Sequence, residues 1–256
     1  MIPAATGRAL EPTPAGVREE IDLTIFIPCL NEESRVIPTL ETVRAALAES
    51  GHTYEVIAVD DGSTDRTAAV IEEFCRANPA MPVRLHRNPR NFGLSRSFVD
   101  TAFRGRGRYY RLVCGDNVDS KESMLAMLRL MGRADIIIPH YPVLPGKSRT
   151  RKFISRLYTV IVDLLSGNRI KYYNGCALYR RYDVMRWASY NYGFGFQAVL
   201  ITTLLDEGAT YLEVPLSGFH LTKDRGSPLN LRNFLSTAHA LSEIFLRRLR
   251  RSFYGN

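Results

Sequence analysis

Short apolar segments alternate with longer amphipathic segments along the first half of the chain. Residues 54–59 are almost continuously apolar, which is typical of a central strand that is buried on both faces of a parallel sheet. Four further short apolar runs lie at 23–28, 83–86, 109–114 and 135–138, and segments with helical spacing separate them. Because strands that alternate with helices form parallel sheets with right-handed crossovers, the pattern predicts an α/β fold.

The second half of the chain has a mixed pattern in which two long amphipathic segments stand out. Residues 153–165 carry a wide apolar face, which is typical of a core helix and, alternatively, of a helix in a membrane interface. From residue 229 to the C-terminus, apolar residues recur at helical spacing above a basic end. This second pattern is equally compatible with a helix that packs on the protein and with a helix that lies in a membrane interface. Two further strands and a helix are predicted at 176–179, 210–214 and 197–206.

Carboxylates follow two of the predicted strands. Asp60 and Asp61 come directly after residues 54–59, and Asp116 follows residues 109–114. Because ligands of open α/β sheets bind outside the carboxyl ends of the strands, these acids are placed to meet a nucleotide or a metal. The alternative is an ordinary turn in which Gly62 permits the tight backbone and the acids cap the following helix.

The positive charge is concentrated in two places. The chain has 256 residues, a net charge of +8 and an ordinary globular composition, compatible with one large or two small domains. Residues 147–156 hold five basic residues and no acid, and residues 221–251 hold seven basic residues against two acids. Such clusters favour an anionic partner. Nucleic acid is disfavoured because the basic stretches lack interleaved aromatic residues for base stacking.

The cysteine pattern and the hydropathy of the chain indicate its cellular compartment. The four cysteines are scattered without a CxxC or Cys/His cluster, which argues against a structural zinc site or a disulfide framework and favours the cytoplasm. Residues 1–20, rich in Pro and Gly, predict a flexible leader without the pattern of a signal peptide. The sequence has no run of about 18 apolar residues, so we expect no spanning helix.

Six segments occur in a characteristic order. They are 27–33 (IPCLNEE), 59–65 (VDDGSTD), 91–93 (NFG), 115–116 (GD), 174–181 (NGCALYRR) and 208–215 (GATYLEVP). In this order they resemble the family 2 glycosyltransferases, specifically the branch of dolichol-phosphate mannose synthase and polyprenyl-phosphate glycosyltransferases. Each segment alone is a weak signal, whereas the ordered set is specific.

The resemblance implies a GT-A fold, a UDP- or GDP-linked sugar donor and inversion at the anomeric carbon. It also assigns residues that would hold the base and ribose: Pro28, Asn31, Glu32, Asp60, Asp61 and Asp65. Asp116 falls at the family's DxD motif and would act at the diphosphate as a catalytic residue and as a ligand of Mg²⁺ or Mn²⁺. A cation is chemically reasonable because negative charge gathers on the leaving nucleoside diphosphate.

The sequence departs from the family at the DxD motif. Cys114 stands where the family has the first aspartate, and Val118 stands where a Gln is common. Hard cations prefer oxygen ligands, and a thiol is a poor replacement for a carboxylate. We therefore expect either a cation with fewer protein ligands or a site in which Lys or Arg supplies part of the positive charge.

The implied acceptor is a polyprenyl phosphate of the dolichyl or undecaprenyl type. Where related enzymes carry an acidic base, this chain has Gln197 and Ala198, which cannot accept a proton. A phosphate acceptor needs no base because it is already ionised. Gln197 and Arg225 complete the implied catalytic set, and Arg225 belongs to a basic loop, 223–227, that would close over the donor phosphates. The residues implied to bind the acceptor phosphate are Arg149, Arg151, Ser155 and Lys223.

The resemblance also suggests how the chain is divided. Residues 21–228 would form the GT-A domain, with a donor half at 21–139 and an acceptor half at 140–228. Residues 229–256 would form a basic amphipathic helix that brings a peripheral protein to the cytoplasmic face of a membrane. The basic segments could alternatively be ordinary solvated surface. Two other functions also stay open: a soluble transferase with a saccharide or small hydroxyl acceptor, and a non-catalytic nucleotide-sugar-binding protein.

Overall fold

The computed structural model describes residues 21–142, 149–187, 193, 195–216 and 231–254, with the backbone only for 231–234. The proposed leader and the site candidates Lys223 and Arg225 lie outside these residues. The elements, in chain order, are β1 (Ile21–Cys29), α1 (Val36–Ser50), β2 (Tyr54–Asp60), α2 (Thr67–Ala77), β3 (Val83–Arg87), α3 (Leu94–Arg104), β4 (Gly107–Leu112), α4 (Lys121–Leu128), β5 (Ile136–His140), α5 (Arg149–Ser166), β6 (Leu178–Arg180), α6 (Arg181–Arg186), α7 (Phe196–Asp206), β7 (Tyr211–Pro215) and α8 (Leu231–Tyr254).

The strands described here form one seven-stranded sheet in the order β3-β2-β1-β4-β6-β5-β7. The sheet is mostly parallel, and β6 runs antiparallel to its neighbours β4 and β5. The predicted α/β class with a mostly parallel sheet is thereby confirmed. The chain winds outward from β1 to β3 and returns to β4 on the other side of β1. Such a reversal of strand order opens a crevice at the carboxyl ends of the two central strands.

Apolar residues cover both faces of the sheet. On β2, Val56 and Ala58 belong to a core layer shared with α1, α2 and α4. Ile57 and Val59 belong to the opposite layer, shared with α3, α6 and α7. All four residues are 1% exposed or less, which confirms the prediction that this strand is buried on both faces.

Two features differ from the sequence expectations. Helix α6 was not predicted, because six residues are too few to establish a helical period. Helix α5 begins earlier than predicted, and Val162 is its one residue in the buried class. Phe153, Leu157, Val160 and Leu164, one stripe of α5, are between 47% and 74% exposed. The core-helix interpretation is therefore wrong for this stripe, because periodicity shows that a helix is amphipathic but not what covers its apolar face.

Candidate active site

A cavity of about 630 Å³ opens at the carboxyl ends of β1 and β4. Its lining comes from the turns after β1, β2 and β4, from the segment that leads into α3, and from α8. Lining residues include Pro28, Glu32, Asp61, Arg96, Asp116 and Ser236. The fold thus places residues from at least five distant sequence segments around one space.

Two turns at the cavity are joined by reciprocal hydrogen bonds. The Asn31 N–H donates to Ser63 Oγ at 3.0 Å, and the Thr64 N–H donates to Asn31 Oδ1 at 2.9 Å. Asn31 has a φ of 56°, a left-handed conformation that Asn tolerates better than most residues. Asp65 accepts hydrogen bonds from the N–H groups of Glu33 and Thr67. The side chains of Asn31 and Asp65 therefore hold the turns after β1 and β2 together.

Asp60 and Asp61 follow the same strand but have different surroundings. Asp60 Oδ1 accepts a hydrogen bond from the Ser63 N–H at 3.0 Å, and Asp60 is absent from the described cavity lining. Asp61 lies in the lining. Both residues are 6% exposed. The two neighbouring acids thus have separate roles, which their spacing in the sequence did not reveal.

Asp61 anchors the segment that leads into α3. Its Oδ1 accepts hydrogen bonds from Asn88 Nδ2 at 2.7 Å, from the Phe92 N–H at 3.0 Å and from Ser97 Oγ at 3.3 Å. Its Oδ2 accepts from the Gly93 N–H at 2.9 Å. The second and third sequence motifs, 59–65 and 91–93, are therefore physically joined through one carboxylate.

Asp116 lies in the cavity lining. Within the described residues, its Oδ1 is buried without a hydrogen-bond partner. Burial raises the pKa of Asp116, and the nearby Asp119 acts in the same direction, while Arg35 opposes the shift. A buried carboxylate with an unpaired oxygen is suited to accept a cation.

Other groups near Asp116 are less suited to bind a hard cation. Asp119 pairs with Arg111 at 2.9 Å, and both side chains are at most 5% exposed. Cys114 Sγ lies 3.8 Å from Cys176 Sγ. The pKa of the Cys114 thiol is raised well above its usual value, by the hydrogen bond with Cys176 first and by burial second. Among the described residues, no group of three or more His, Cys, Asp or Glu side chains is arranged to hold a metal ion.

The residues therefore fit a cation with few protein ligands. Mg²⁺ commonly binds through one or two carboxylates and takes its remaining oxygens from substrate phosphates and water. Asp116 supplies one such carboxylate at the cavity wall. A complete protein cage is not required for this type of site.

A substitution at Cys114 tests the missing carboxylate directly. Cys114→Asp places a second carboxyl group close to Asp116, so we expect about tenfold tighter Mn²⁺ binding in the presence of nucleotide, equivalent to about 1.4 kcal/mol. Mn²⁺ titration followed by electron paramagnetic resonance, with UDP or GDP present, measures this affinity. Cys114→Ser is the matched control, because it removes the thiol without adding a carboxylate. Equal affinities for the two variants would contradict the expectation.

Three of the four predicted acceptor residues, Arg149, Arg151 and Ser155, lie in the first turns of α5. Arg151 and Ser155 are one helical turn apart and both lie next to Tyr172. Burial raises the pKa of Tyr172, with Cys176 as the next contributor, and Arg151 and Ser155 oppose the shift. Tyr172 thus lies between the start of α5 and the thiol pair. Arg149 is exposed at the first residue of α5.

Gln197 is not among the described residues that line the cavity. It lies in the first turn of α7 and is 9% exposed. Two cavity neighbours were missed by the sequence reasoning: Arg96, whose guanidinium lies 4.2 Å from the centroid of the Phe92 ring, and Ser236 on α8. Arg96 could have been found from its position just after the NFG segment, whereas no sequence signal distinguished Ser236.

A Rossmann-like α/β sheet with a cavity at its strand reversal defines a nucleotide-binding class of protein. The model of glycosyl transferase family 2 matches residues 24–187, and the chain belongs to this family. The family predicted from the ordered motifs is confirmed.

The names of three curated relatives each combine a polyprenyl phosphate with a sugar. The chain is 28% identical over 170 residues to a dodecaprenyl-phosphate galacturonate synthase of Rhizobium johnstonii, covering 62% of this chain and 47% of the relative. It is 26% identical over 168 residues to a dolichyl-phosphate β-glucosyltransferase of Trichomonas vaginalis, covering 59% and 49%. It is 27% identical over 164 residues to an undecaprenyl-phosphate 4-deoxy-4-formamido-L-arabinose transferase of Pseudomonas aeruginosa, covering 63% and 48%. Each match thus spans about half the length of the relative.

Solved structures share the fold at low sequence identity. A mannosyltransferase of Pyrobaculum calidifontis, in complex with GDP-Man and Mn²⁺, superposes with a TM-score of 0.62 at 15% identity and covers 94% of this chain and 68% of that chain. A glucosyl-3-phosphoglycerate synthase of Mycobacterium tuberculosis, in complex with Mn²⁺, UDP and phosphoglyceric acid, gives a TM-score of 0.64 at 15% identity, covering 88% and 79%. This likeness confirms the predicted GT-A fold.

Proposed function

We propose that the protein is an inverting glycosyltransferase that moves a sugar from a nucleoside-diphosphate sugar to a polyprenyl phosphate. The observation that carries the proposal is the cavity at the β1–β4 reversal, with the unpaired Oδ1 of the Asp116 carboxylate in its wall. The names of the curated relatives support the same acceptor class. The donor is UDP- or GDP-linked.

The six residues predicted to bind the nucleotide would act in two different ways. Pro28 and Glu32 lie in the cavity lining and would contact the base and ribose. Asn31, Asp60, Asp61 and Asp65 would act mainly by holding the surrounding turns, since their side-chain oxygens accept hydrogen bonds from neighbouring segments. Two of the six residues would therefore contact the nucleotide, and the other four would fix the shape of the turns around it.

Asp116 would bind Mg²⁺ or Mn²⁺ together with the donor diphosphate. The cation, when bound, neutralises the negative charge that accumulates on the leaving nucleoside diphosphate. Asp119 takes no part, because Arg111 already neutralises its carboxylate. The basic loop with Lys223 and Arg225 would add positive charge around the phosphates.

The acceptor phosphate would bind near the start of α5, at Arg149, Arg151 and Ser155, with Lys223 assisting. A phosphate oxygen is ionised at neutral pH, so the protein has to orient it beside the anomeric carbon rather than deprotonate it. The acids in the described lining are Glu32, Asp61 and Asp116, and all belong to the proposed donor wall. This arrangement favours a phosphate acceptor over a hydroxyl acceptor. Residues 21–139 and 140–228 would accordingly serve as donor and acceptor halves, and Gln197 would support the acceptor half.

The acceptor's lipid chain requires access to a membrane surface. Within the described part of the chain, no helix has the length and apolar character needed to cross a bilayer. Two exposed stripes suit the bilayer interface. The α5 stripe consists of Phe153, Leu157, Val160 and Leu164, and the α8 stripe consists of Leu235, Leu246, Leu249 and Phe253. Basic residues flank both stripes, so we place the protein peripherally on the cytoplasmic face of a membrane.

A transfer assay tests this function. The full chain is incubated with undecaprenyl phosphate or dolichyl phosphate, a panel of UDP- and GDP-sugars, and Mn²⁺ or EDTA. We expect metal-dependent formation of a lipid-linked sugar from one donor in the panel. Turnover on a saccharide but on no polyprenyl phosphate would instead favour a soluble transferase. Nucleotide binding without any turnover would favour a non-catalytic binding protein.

A further inference from the structure

Helix α8 has two faces in different surroundings. On the inner face, Ala240 is 0% exposed and Ile244 is 1% exposed, and both belong to the core layer shared with α7. On the outer face, the α8 stripe is 40% to 76% exposed. The same rigid element therefore belongs both to the protein interior and to the surface proposed to meet lipid.

The inner face of α8 also borders the nucleotide cavity. Ser236 lies in the same lining as Asp116. The backbone before α7 approaches α8 so closely that an added Cβ on Gly193 would overlap Ser236 Oγ, and one on Gly195 would overlap the Cβ of Ala240. Because no space remains between these segments, a shift of the first half of α8 changes the cavity wall.

The second half of α8 is fastened to the protein body. The Arg247 guanidinium lies 2.7 Å from Asp206 Oδ2 and donates to the hydroxyl oxygens of Thr202 and Thr203. These partners lie in the C-terminal half of α7. The first half of α8 lies next to the cavity, where Ser236 belongs to the lining.

The outer surface is complementary to an anionic bilayer. Arg250 is exposed on α8 beside the α8 stripe. Helix α5 packs against α8 and carries the α5 stripe together with the exposed Arg156. Apolar residues for the acyl boundary and arginines for lipid phosphates are the two features that interfacial helices combine.

We propose that α8 couples docking on an anionic membrane to nucleotide binding in the cavity. Docking of the outer face restricts the position of α8, so that Ser236 and its neighbours Gly193 and Gly195 are held in place before the nucleotide arrives. Nucleotide binding then costs less conformational entropy. The coupling is reciprocal, because the nucleotide must strengthen membrane binding by the same factor. This inference rests on the proposed nucleotide-sugar site and adds a regulation of it by the membrane surface.

Nucleotide titrations with and without vesicles test the coupling. The full chain is titrated calorimetrically with UDP and with GDP, in the presence of Mn²⁺. Vesicles of phosphatidylcholine and phosphatidylglycerol, free of polyprenyl phosphate, are added or omitted. We expect the vesicles to tighten binding of the cognate nucleotide about fivefold or more, and the nucleotide to tighten vesicle binding equally.

Variants separate the two faces of α8. Phe253→Ser should weaken vesicle binding and abolish the gain in nucleotide affinity, while leaving the vesicle-free affinity unchanged. Phe103→Ser is the matched control, because Phe103 is 58% exposed on α3 and lies outside both stripes. Gly195→Ala should weaken nucleotide binding without affecting vesicle binding, and Gly195→Ala combined with Ala240→Gly should restore it. Circular dichroism checks that each variant is folded.

The outcomes are distinguishable. Vesicle binding that leaves the nucleotide affinity unchanged overturns the coupling and leaves the proposed function intact. Equal loss of vesicle binding in the Phe253 and Phe103 variants overturns the assignment of the docking surface. Absence of nucleotide binding in both conditions overturns the proposed function and this inference with it, and vesicle co-sedimentation still reports the docking separately.

Discussion

Asp116→Asn is expected to lower the rate of sugar transfer about 100-fold to 1000-fold, because it removes the carboxylate that would hold the cation at the donor diphosphate. The amide keeps the size of the side chain but lacks the negative charge. Initial rates of lipid-linked sugar formation, at saturating Mn²⁺ and donor, measure the loss. Nucleotide titration of the same variant should show that Mn²⁺ no longer strengthens binding.

Glu72→Gln is the control for Asp116→Asn, since it makes the same change of carboxylate to amide at a side chain that is 50% exposed. A comparable loss of rate in both variants would contradict the role of Asp116. Unchanged activity of Asp116→Asn would contradict it as well.

Asp116→Asn is also expected to change the stability of the protein. The rate of transfer should fall, whereas the melting temperature should rise. Burial raises the pKa of Asp116 in the folded protein, so the folded state keeps this proton to higher pH than the unfolded state. The charged carboxylate therefore costs stability above the ordinary carboxyl range. Without metal, we expect the variant to melt at a higher temperature than the wild type at pH 7, and the difference to vanish at about pH 3. Calorimetric melting over this pH range measures the effect.

The strand-end positions of Asp60, Asp61 and Asp116 could be predicted from sequence because each follows an apolar run, and the order of runs fixes the sheet. Their surroundings could not. The environment of a carboxylate depends on groups far away in the chain, such as the charge of Arg35 near Asp116 and the N–H of Gly93, which donates to Asp61. Periodicity contains no information about such long-range contacts.

The two amphipathic helices illustrate the same limit. The spacing of Phe153, Leu157 and Leu164 predicts a helix with one apolar face, and the helix is present. Whether this face is covered depends on the packing partners of α5, and these follow from tertiary structure. For α8, the spacing predicted an amphipathic helix but not that Ser236 lies in the cavity lining.

The largest expected effect on stability is that of Asp61→Ala. The substitution leaves four donors without their acceptor: Asn88 Nδ2, Ser97 Oγ and the N–H groups of Phe92 and Gly93. Unsatisfied buried donors cost about 1–3 kcal/mol each, and some of these will recover water, so we expect the free energy of unfolding to fall by about 3 kcal/mol or more. Urea unfolding followed by circular dichroism measures this change.

Asp60→Ala is the matched control for the stability loss expected of Asp61→Ala. Asp60 is the preceding residue and is equally buried, but in the described structure its carboxylate accepts one hydrogen bond, from the Ser63 N–H. Its loss should cost about 1 kcal/mol, typical of a single hydrogen bond. Equal losses for the two variants would mean that the carboxylate of Asp61 does not anchor the segment before α3. If Asp61→Ala also weakens nucleotide binding far more than Asp60→Ala does, the anchored segment, with Arg96 in the cavity wall, is part of the binding site and not only of the fold.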